Sequence, residues 1–363
     1  MTRTIAAAAL LLAALSAAPD TARAQDRSQP GEAAPRQGRG RGEAAERARE
    51  RLRRLQETAR ERRAARVGPG ITDTVTRTMK LGRDGSVDLA NVAGRVSIVG
   101  RGGDEVRLEA VKRVWHQDPD EARALLQQLD VSIAEGAGRV DVRTIYPQGQ
   151  TYDAEVDYTL AVPQGARVSI RNASGDIVIA GVQGELRAES VSGAISVTSA
   201  GDVRLLRSVS GTVEVDGASG SELTASTIGG AITARRVKAR TIDLRSVGGA
   251  LRVVDGESDR VSMRALGGTV EYGGRIGRNG RYDLLSRTGQ VVVTPVGNEG
   301  FDVDVITMNG GFRSDFPLTL RETRGPGGRG GLRRGTAVSG TFGDGGGLLT
   351  LRSATGGVTI RKP

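Results

Sequence analysis

The chain has no cysteine in 363 residues. That excludes disulfide staples, zinc–thiolate sites, iron–sulfur clusters and a lipid-modified cysteine at a processed N-terminus. Histidine occurs once, at His116, so the commonest general base is missing from almost the whole sequence. Aromatic residues make up 3%, too few for a typical sandwich core and suited to a narrow core of Val, Ile and Leu. Long apolar runs are also missing after the first two dozen residues, so no later segment approaches a membrane span. Glycine is what abounds, at 53 residues and roughly twice the usual share.

The chain starts MTRTIAAAALLLAALSAAPDTARAQ. Arg3 supplies a positive region, Ile5 to Ala18 an apolar stretch too short to span a bilayer, and Ala22-Arg23-Ala24 a small-x-small cleavage site. Residues 1–24 therefore read as a cleavable signal peptide with Gln25 as the first mature residue. The expected location is periplasmic or secreted to the cell surface.

Between Gln25 and Gly70, 13 arginines face 7 acidic residues, so +6 of the formal +10 charge lies in that short stretch. Its first part, rich in Pro, Gly and Arg, reads as disordered linker. Its second part, EAAERARERLRRLQETARERRAAR, reads as a solvated helix with a thin stripe of Ala48, Leu52, Leu55 and Ala59. Residues 25–70 are expected to form an Arg-rich disordered or helical linker, with contact to an anionic envelope component as the sharper reading. Residues 71–363 form the folded part, in which 115–165 is a helix-containing cap or excursion. The helix falls on QDPDEARALLQQLD, with Asp118 or Asp120 as N-cap and Ala122, Leu125, Leu126 and Leu129 on one apolar face.

The rest of the chain is periodic. Corner glycines recur at Gly175, Gly193, Gly211, Gly230, Gly249, Gly268, Gly289, Gly310 and Gly356, spaced 18, 18, 19, 19, 19, 21, 21 and 46 residues apart. Two and four positions after each comes an apolar pair, such as Ile195/Val197 or Val291/Val293; five and seven before it comes another, such as Leu244/Ile242. A small, mostly polar residue sits three before it, as at Asn172, Ser190, Ser208, Thr227, Ser246 and Ser286. An earlier copy has Gly94, with Asn91 before it and Val96/Ile98 after it. Alternation on both sides of a corner predicts two short strands per repeat, each with one buried face. A unit this short cannot bury that face alone, so repeats must stack. The fold class expected is all-β: a β-solenoid or β-roll of about nine to ten short coils of 18–22 residues, with a helix-bearing N-terminal segment. Glycine at the corner is expected to supply backbone angles that a side chain would obstruct. The 46-residue gap reads as a flexible insertion with one degenerate coil. The four phenylalanines, Phe301, Phe312, Phe316 and Phe342, are expected to close the far end.

The order of signal, early strands, one acidic helix, then N-x-S-G-D-I-x-I, S-V-S-G-A-I-x-V and M-N-G-G-F resembles the bacterial "putative adhesin" family of exported β-strand-repeat domains of unknown function, akin to toastrack-type repeats. The resemblance covers about residues 71 to 363. It implies export and the repeat architecture, and it carries no catalytic residues over. The function expected is that of an exported, non-catalytic β-solenoid serving as a binding, adhesion or scaffold module of the envelope.

No constellation for catalysis is expected, and no cofactor or metal site. The tetrapeptide SVSG occurs twice, but Ser192 and Ser210 stand where other repeats have Gly229, Gly248, Gly267 and Asn309, a freedom no nucleophile has. No GxSxG elbow, HExxH or calcium nonapeptide is present. The alternative reading is a carbohydrate-active enzyme, a polysaccharide lyase or glycosidase, using Asp216, Asp255, Glu257 and Asp259 near the second corner or the outward Glu214 and Glu271. A further alternative is a bactofilin-like scaffold that self-associates end to end. Nucleic acid is disfavoured as a partner by export and by the scarcity of aromatics.

Overall fold

The computed structural model describes residues 70–146, 153–321 and 336–363. The signal peptide over 1–24 and the Arg-rich linker over 25–70 therefore lie outside the described residues, except for Gly70. The described strands are β1 (Gly70–Lys80), β2 (Ser86–Ala93), β3 (Val96–Arg101), β4 (Glu105–Trp115), β5 (Asp130–Gly136), β6 (Arg139–Ile145), β7 (Asp153–Pro163) and β8 (Arg167–Ser174). They continue as β9 (Ile177–Ala180), β10 (Leu186–Ser192), β11 (Ile195–Ala200), β12 (Val203–Ser208), β13 (Val213–Thr227), β14 (Ile232–Arg235), β15 (Lys238–Ser246) and β16 (Leu251–Ala265). The last are β17 (Val270–Ser286), β18 (Val291–Val296), β19 (Phe301–Thr307), β20 (Phe312–Ser314), β21 (Thr319–Arg321), β22 (Thr336–Phe342), β23 (Gly347–Ser353) and β24 (Val358–Ile360). With α1 (Pro119–Gln128) as the one helix among the described residues, the described part of the protein is all-β in class.

The described residues divide into two compact units. The smaller comprises 70–72, 113–128 and 153–154. Its helix starts where Asp118 accepts the N–H of Asp120 at 2.8 Å through its side chain, and that of Ala122 at 3.0 Å through its carbonyl. Asp118 is thus the N-cap, and Ala122, Leu125 and Leu126 form the buried stripe.

The larger unit, Asp73–Lys112, Leu129–Tyr146 and Glu155–Pro363, carries the repeats. Strands that precede a corner glycine pair in parallel, in the order β6, β2, β8, β10, β12, the second half of β13, β15, the second halves of β16 and β17, β23 and β19. Strands that follow a corner form a second parallel ladder: β7, β3, β9, β11, the first half of β13, β14, the first halves of β16 and β17, β18, β24 and β20. Register is strict. Val213 faces Ile195 and Ile232, and Leu244 faces Ala225 and Met263, so like side chains meet from repeat to repeat. Their burial is complete, with Val213, Ile232, Leu244 and Met263 all at 0% exposure. Alternation of period two thus delivers aliphatic columns to one side of every strand.

The spatial order of repeats departs from the sequence order at both ends. Near the start, the repeat around Gly94 lies between β6/β7 on one side and β8/β9 on the other. Near the finish, β23 lies between β17 and β19, and β24 between β18 and β20. The last repeat, whose corner Gly356 lies 46 residues after Gly310, thus takes an inner position, and residues 322–335 of the expected insertion lie outside the described residues. It is a finding the spacing alone does not foretell, because β19 and β23 carry the same pattern. Antiparallel strands cover both ends of the first ladder: β5 on β6, and β22 on β19 with β21 beyond. Phe301, Phe316 and Phe342 meet there, with ring centroids 4.9 to 5.5 Å apart, while Phe312 lies on β20 in the second ladder. Their edge-to-face and tilted contacts fill a wider cross-section than aliphatic residues could.

The corner glycines stack directly. A Cβ at Gly211, Gly249 or Gly289 would lie 1.8, 1.8 or 1.9 Å from the carbonyl oxygen of the corner glycine in the adjacent repeat. Special backbone angles are not the general reason for glycine here. Gly211, Gly230, Gly249, Gly289, Gly310 and Gly356 have no positive φ, whereas Gly94, Gly175 and Gly268 have φ of 119°, 111° and 111°. Close approach of one repeat to the next is what excludes a side chain throughout.

Candidate functional site

In the second SVSG segment both hydroxyls are engaged at the corner, whereas in the first the buried Ser190 Oγ has no hydrogen-bond partner. Ser208 Oγ accepts the N–H of Gly211 at 2.9 Å and donates to the Gly193 carbonyl at 3.3 Å. The same two-way bond is made by Thr227, Ser246, Ser286, Ser353 and Thr307, each linking its own corner glycine to the one in the adjacent repeat. Ser210 Oγ donates to the Val191 carbonyl at 3.1 Å. His116, in the smaller unit, accepts the Asp118 N–H at 3.1 Å through Nδ1 and lies 3.2 Å from Glu121 Oε2 through Nε2.

Three of the six carboxylates weighed for glycan chemistry, Asp216, Glu257 and Glu271, are paired with cations of neighbouring repeats. Asp216 holds Arg236 at 2.6 Å and Glu257 holds Lys238 at 3.1 Å. Glu271, with 17% of its side chain exposed, is bracketed by Arg252 and Arg361 at 2.7 Å each. These contacts neutralise the outer face of the second ladder repeat by repeat. Asp255 has a different role: with φ of 54° it continues a second corner column of Gly181, Ser199, Gly217 and Arg236, whose φ values are 72°, 52°, 71° and 50°. Among the described residues, no group of three or more His, Asp or Glu side chains is arranged to hold a metal ion.

A different surface stands out, and the sequence reading missed it. Two positions before the corner glycines, in spatial order, come Val247, Leu266, Arg287, Ala354 and Met308; four positions before come Arg245, Arg264, Leu285, Arg352 and Ile306. Aliphatic and arginine side chains therefore interleave over the outer edge of five neighbouring repeats. Val247, Leu266, Leu285, Ile306 and Met308 are 36 to 60% exposed, and they are five of the twelve large exposed apolar side chains among the described residues. Within this patch a depression of about 460 Å³ is lined by Ser246, Arg264, Ala265, Leu266, Leu285, Ser286, Arg287 and Ala354. It lies around Ala265, the one corner residue of its column with neither hydroxyl nor amide. The signal for this patch in the sequence is weak, because neither column is chemically uniform.

Arg245 and Arg264 contact Asp243 and Asp283 at 2.7 and 3.2 Å. Arg287 and Arg352 have no ion pair among the described residues. The backbone under the patch is bonded from repeat to repeat: the N–H groups of Leu266, Gly267, Arg287, Thr288, Ala354 and Met308 all reach carbonyls of the adjacent repeat at 2.7 to 3.3 Å. The surface combines arginine and aliphatic side chains over a hydrogen-bonded backbone.

No helix among the described residues is long and apolar enough to cross a membrane. No protein-family model matches the sequence, and no curated protein matches it. Among solved structures, a putative adhesin from Parabacteroides distasonis shares 9% identity at a TM-score of 0.43, over 80% of this chain and 97% of that one. A putative adhesin from Bacteroides fragilis shares 11% identity at a TM-score of 0.38, over 80% and 97%. A putative cell adhesion protein from Clostridium sporogenes shares 7% at a TM-score of 0.25, over 81% and 100%. The chain is similar to bacterial proteins described as putative adhesins, a group of unknown function that its repeat motifs also resemble.

Proposed function

We propose that the protein is an exported, non-catalytic β-solenoid that acts as a binding, adhesion or scaffold module of the cell envelope. The observation that carries this reading is the repeated use of side chains along the repeats: at six corners a hydroxyl joins one corner glycine to the next, and Asp216, Glu257 and Glu271 lie in ion pairs with neighbouring repeats. A hydrolase would leave a nucleophile or a facing pair of carboxylates at liberty. The nine corner glycines are structural in this reading. Residues 1–24 direct export, and the Arg-rich 25–70 adds contact with an anionic envelope component.

The decisive measurement is retention of the mature chain on isolated envelope fragments, alongside a screen of acidic and neutral glycans for cleavage. Retention without turnover is expected, and robust turnover overturns the reading in favour of a carbohydrate-active enzyme. The bactofilin-like alternative needs open ends, and antiparallel β5, β22 and β21 cover those of the first ladder. Light scattering after size exclusion should accordingly give a discrete species, not a polymer ladder. N-terminal sequencing of the exported chain should begin at Gln25.

A further inference from the structure

We infer that the interleaved arginine–aliphatic patch over the last five repeats docks on a bilayer surface bearing phosphate headgroups. The inference rests on the envelope-binding reading and names the partner. Leu266, Leu285, Ile306 and Met308 project from a ridge whose backbone N–H groups are already bonded from repeat to repeat. Such a ridge enters the boundary between headgroups and acyl chains without carrying unsatisfied amides into it. Arg287 and Arg352 stand in the same patch with no acidic partner among the described residues, and guanidinium groups match phosphate oxygens in geometry and charge. Of the acidic residues beside them, Asp243 and Asp283 are occupied by Arg245 and Arg264, and Asp304 lies exposed at the outer end of the patch, opposite Thr350. A protein partner is the poorer fit: the patch holds no Trp, Tyr or Phe, the rigid aromatic anchors that concentrate binding energy at protein interfaces. The depression around Ala265 is lined by Leu266, Leu285 and Ala354 together with Arg264 and Arg287, so that apolar and cationic groups share one hollow.

The absence of cysteine makes the test direct. In the mature chain, Leu266→Cys carries a polarity-sensitive fluorophore in the patch, and Thr198→Cys carries it on the exposed outer face of β11. Met308→Cys is an independent second probe in the patch. Each is titrated with vesicles of equal phosphatidylglycerol and phosphatidylcholine, and with phosphatidylcholine alone. The expected result is a blue shift at 266 and 308 with the anionic vesicles only, and none at 198. Arg287→Gln with Arg352→Gln should weaken that response by roughly tenfold or more. Vesicle binding with silent probes at 266 and 308 places the contact elsewhere, residues 25–70 included, and overturns the inference. Silent probes together with retention on envelope fragments overturn the lipid assignment and leave the envelope module standing; loss of both overturns both.

Discussion

At the scale of the residue, one atom three positions before the corner decides how the corner is built. Where a hydroxyl accepts the glycine N–H, at Gly211, Gly230, Gly249, Gly289, Gly310 and Gly356, φ is not positive. Where Asn91, Asn172 or Ala265 stands instead, or Ser190 with its Oγ unbonded, the glycine has φ of 111° to 156°. The hydroxyl and the left-handed backbone are alternative ways to satisfy the same turn. Ser286→Ala removes both bonds of a hydroxyl whose residue is 0% exposed, and should cost about 1–3 kcal/mol in urea unfolding. Ala265→Ser supplies the missing acceptor at Gly268 and should add about 1 kcal/mol, with φ there shifting to the value of its neighbours. A loss of stability in that variant would mean the two corner states are not interchangeable. At the second corner, Ser199 holds φ of 52° with an exposed side chain, so Ser199→Gly should stabilise by roughly 0.5–1 kcal/mol.

At the scale of the element, contact between successive repeats sets the tolerance. Gly249→Ala drives a methyl into the Gly230 carbonyl, whereas Gly229→Ala meets nothing nearer than 3.7 Å. The first should cost several kcal/mol and the second less than about 1, read as the difference in unfolding midpoint of the two variants. Val213→Asp buries a charge between Ile195 and Ile232 and should cost several kcal/mol, with broadened melting. These elements were legible in the sequence because stacking demands chemical uniformity. A glycine that touches a glycine, and a valine that faces an isoleucine, must recur at the repeat period. The second corner was hidden because Gly181, Ser199, Gly217, Arg236 and Asp255 share a backbone conformation and no side-chain chemistry. The patch was hidden for a similar reason: arginine and aliphatic residues exchange columns at Gly289, so the motif exists only across repeats. The position of β23 could not be read at all, since it depends on which of two equivalent neighbours the chain chooses.

At the scale of the whole molecule, burial of tyrosine sets an alkaline limit. Burial pushes the Tyr158 hydroxyl up to about 12, against an ordinary value of 10.0. Burial raises Tyr272 and Tyr282 as well, which stack at 5.3 Å. The folded state therefore keeps protons that unfolded tyrosines release, so stability is intact below pH 10 and falls as pH rises through the folded values. Melting temperature should decline from about pH 10 upward, with tyrosinate absorbance appearing together with the loss of β-sheet signal. Tyr158→Phe should flatten part of that decline. The placement of the last repeat has a consequence in time. Ser353 of β23 bonds Gly289, 64 residues earlier, and keeps β19 from β17, although β19 is synthesised first and carries the same inward pattern. In a chain that emerges in order, the β17 edge is open to β19 before β23 exists, so a chain stopped before residue 347 should settle with β19 on β17, shorter by one repeat and closed in the wrong order.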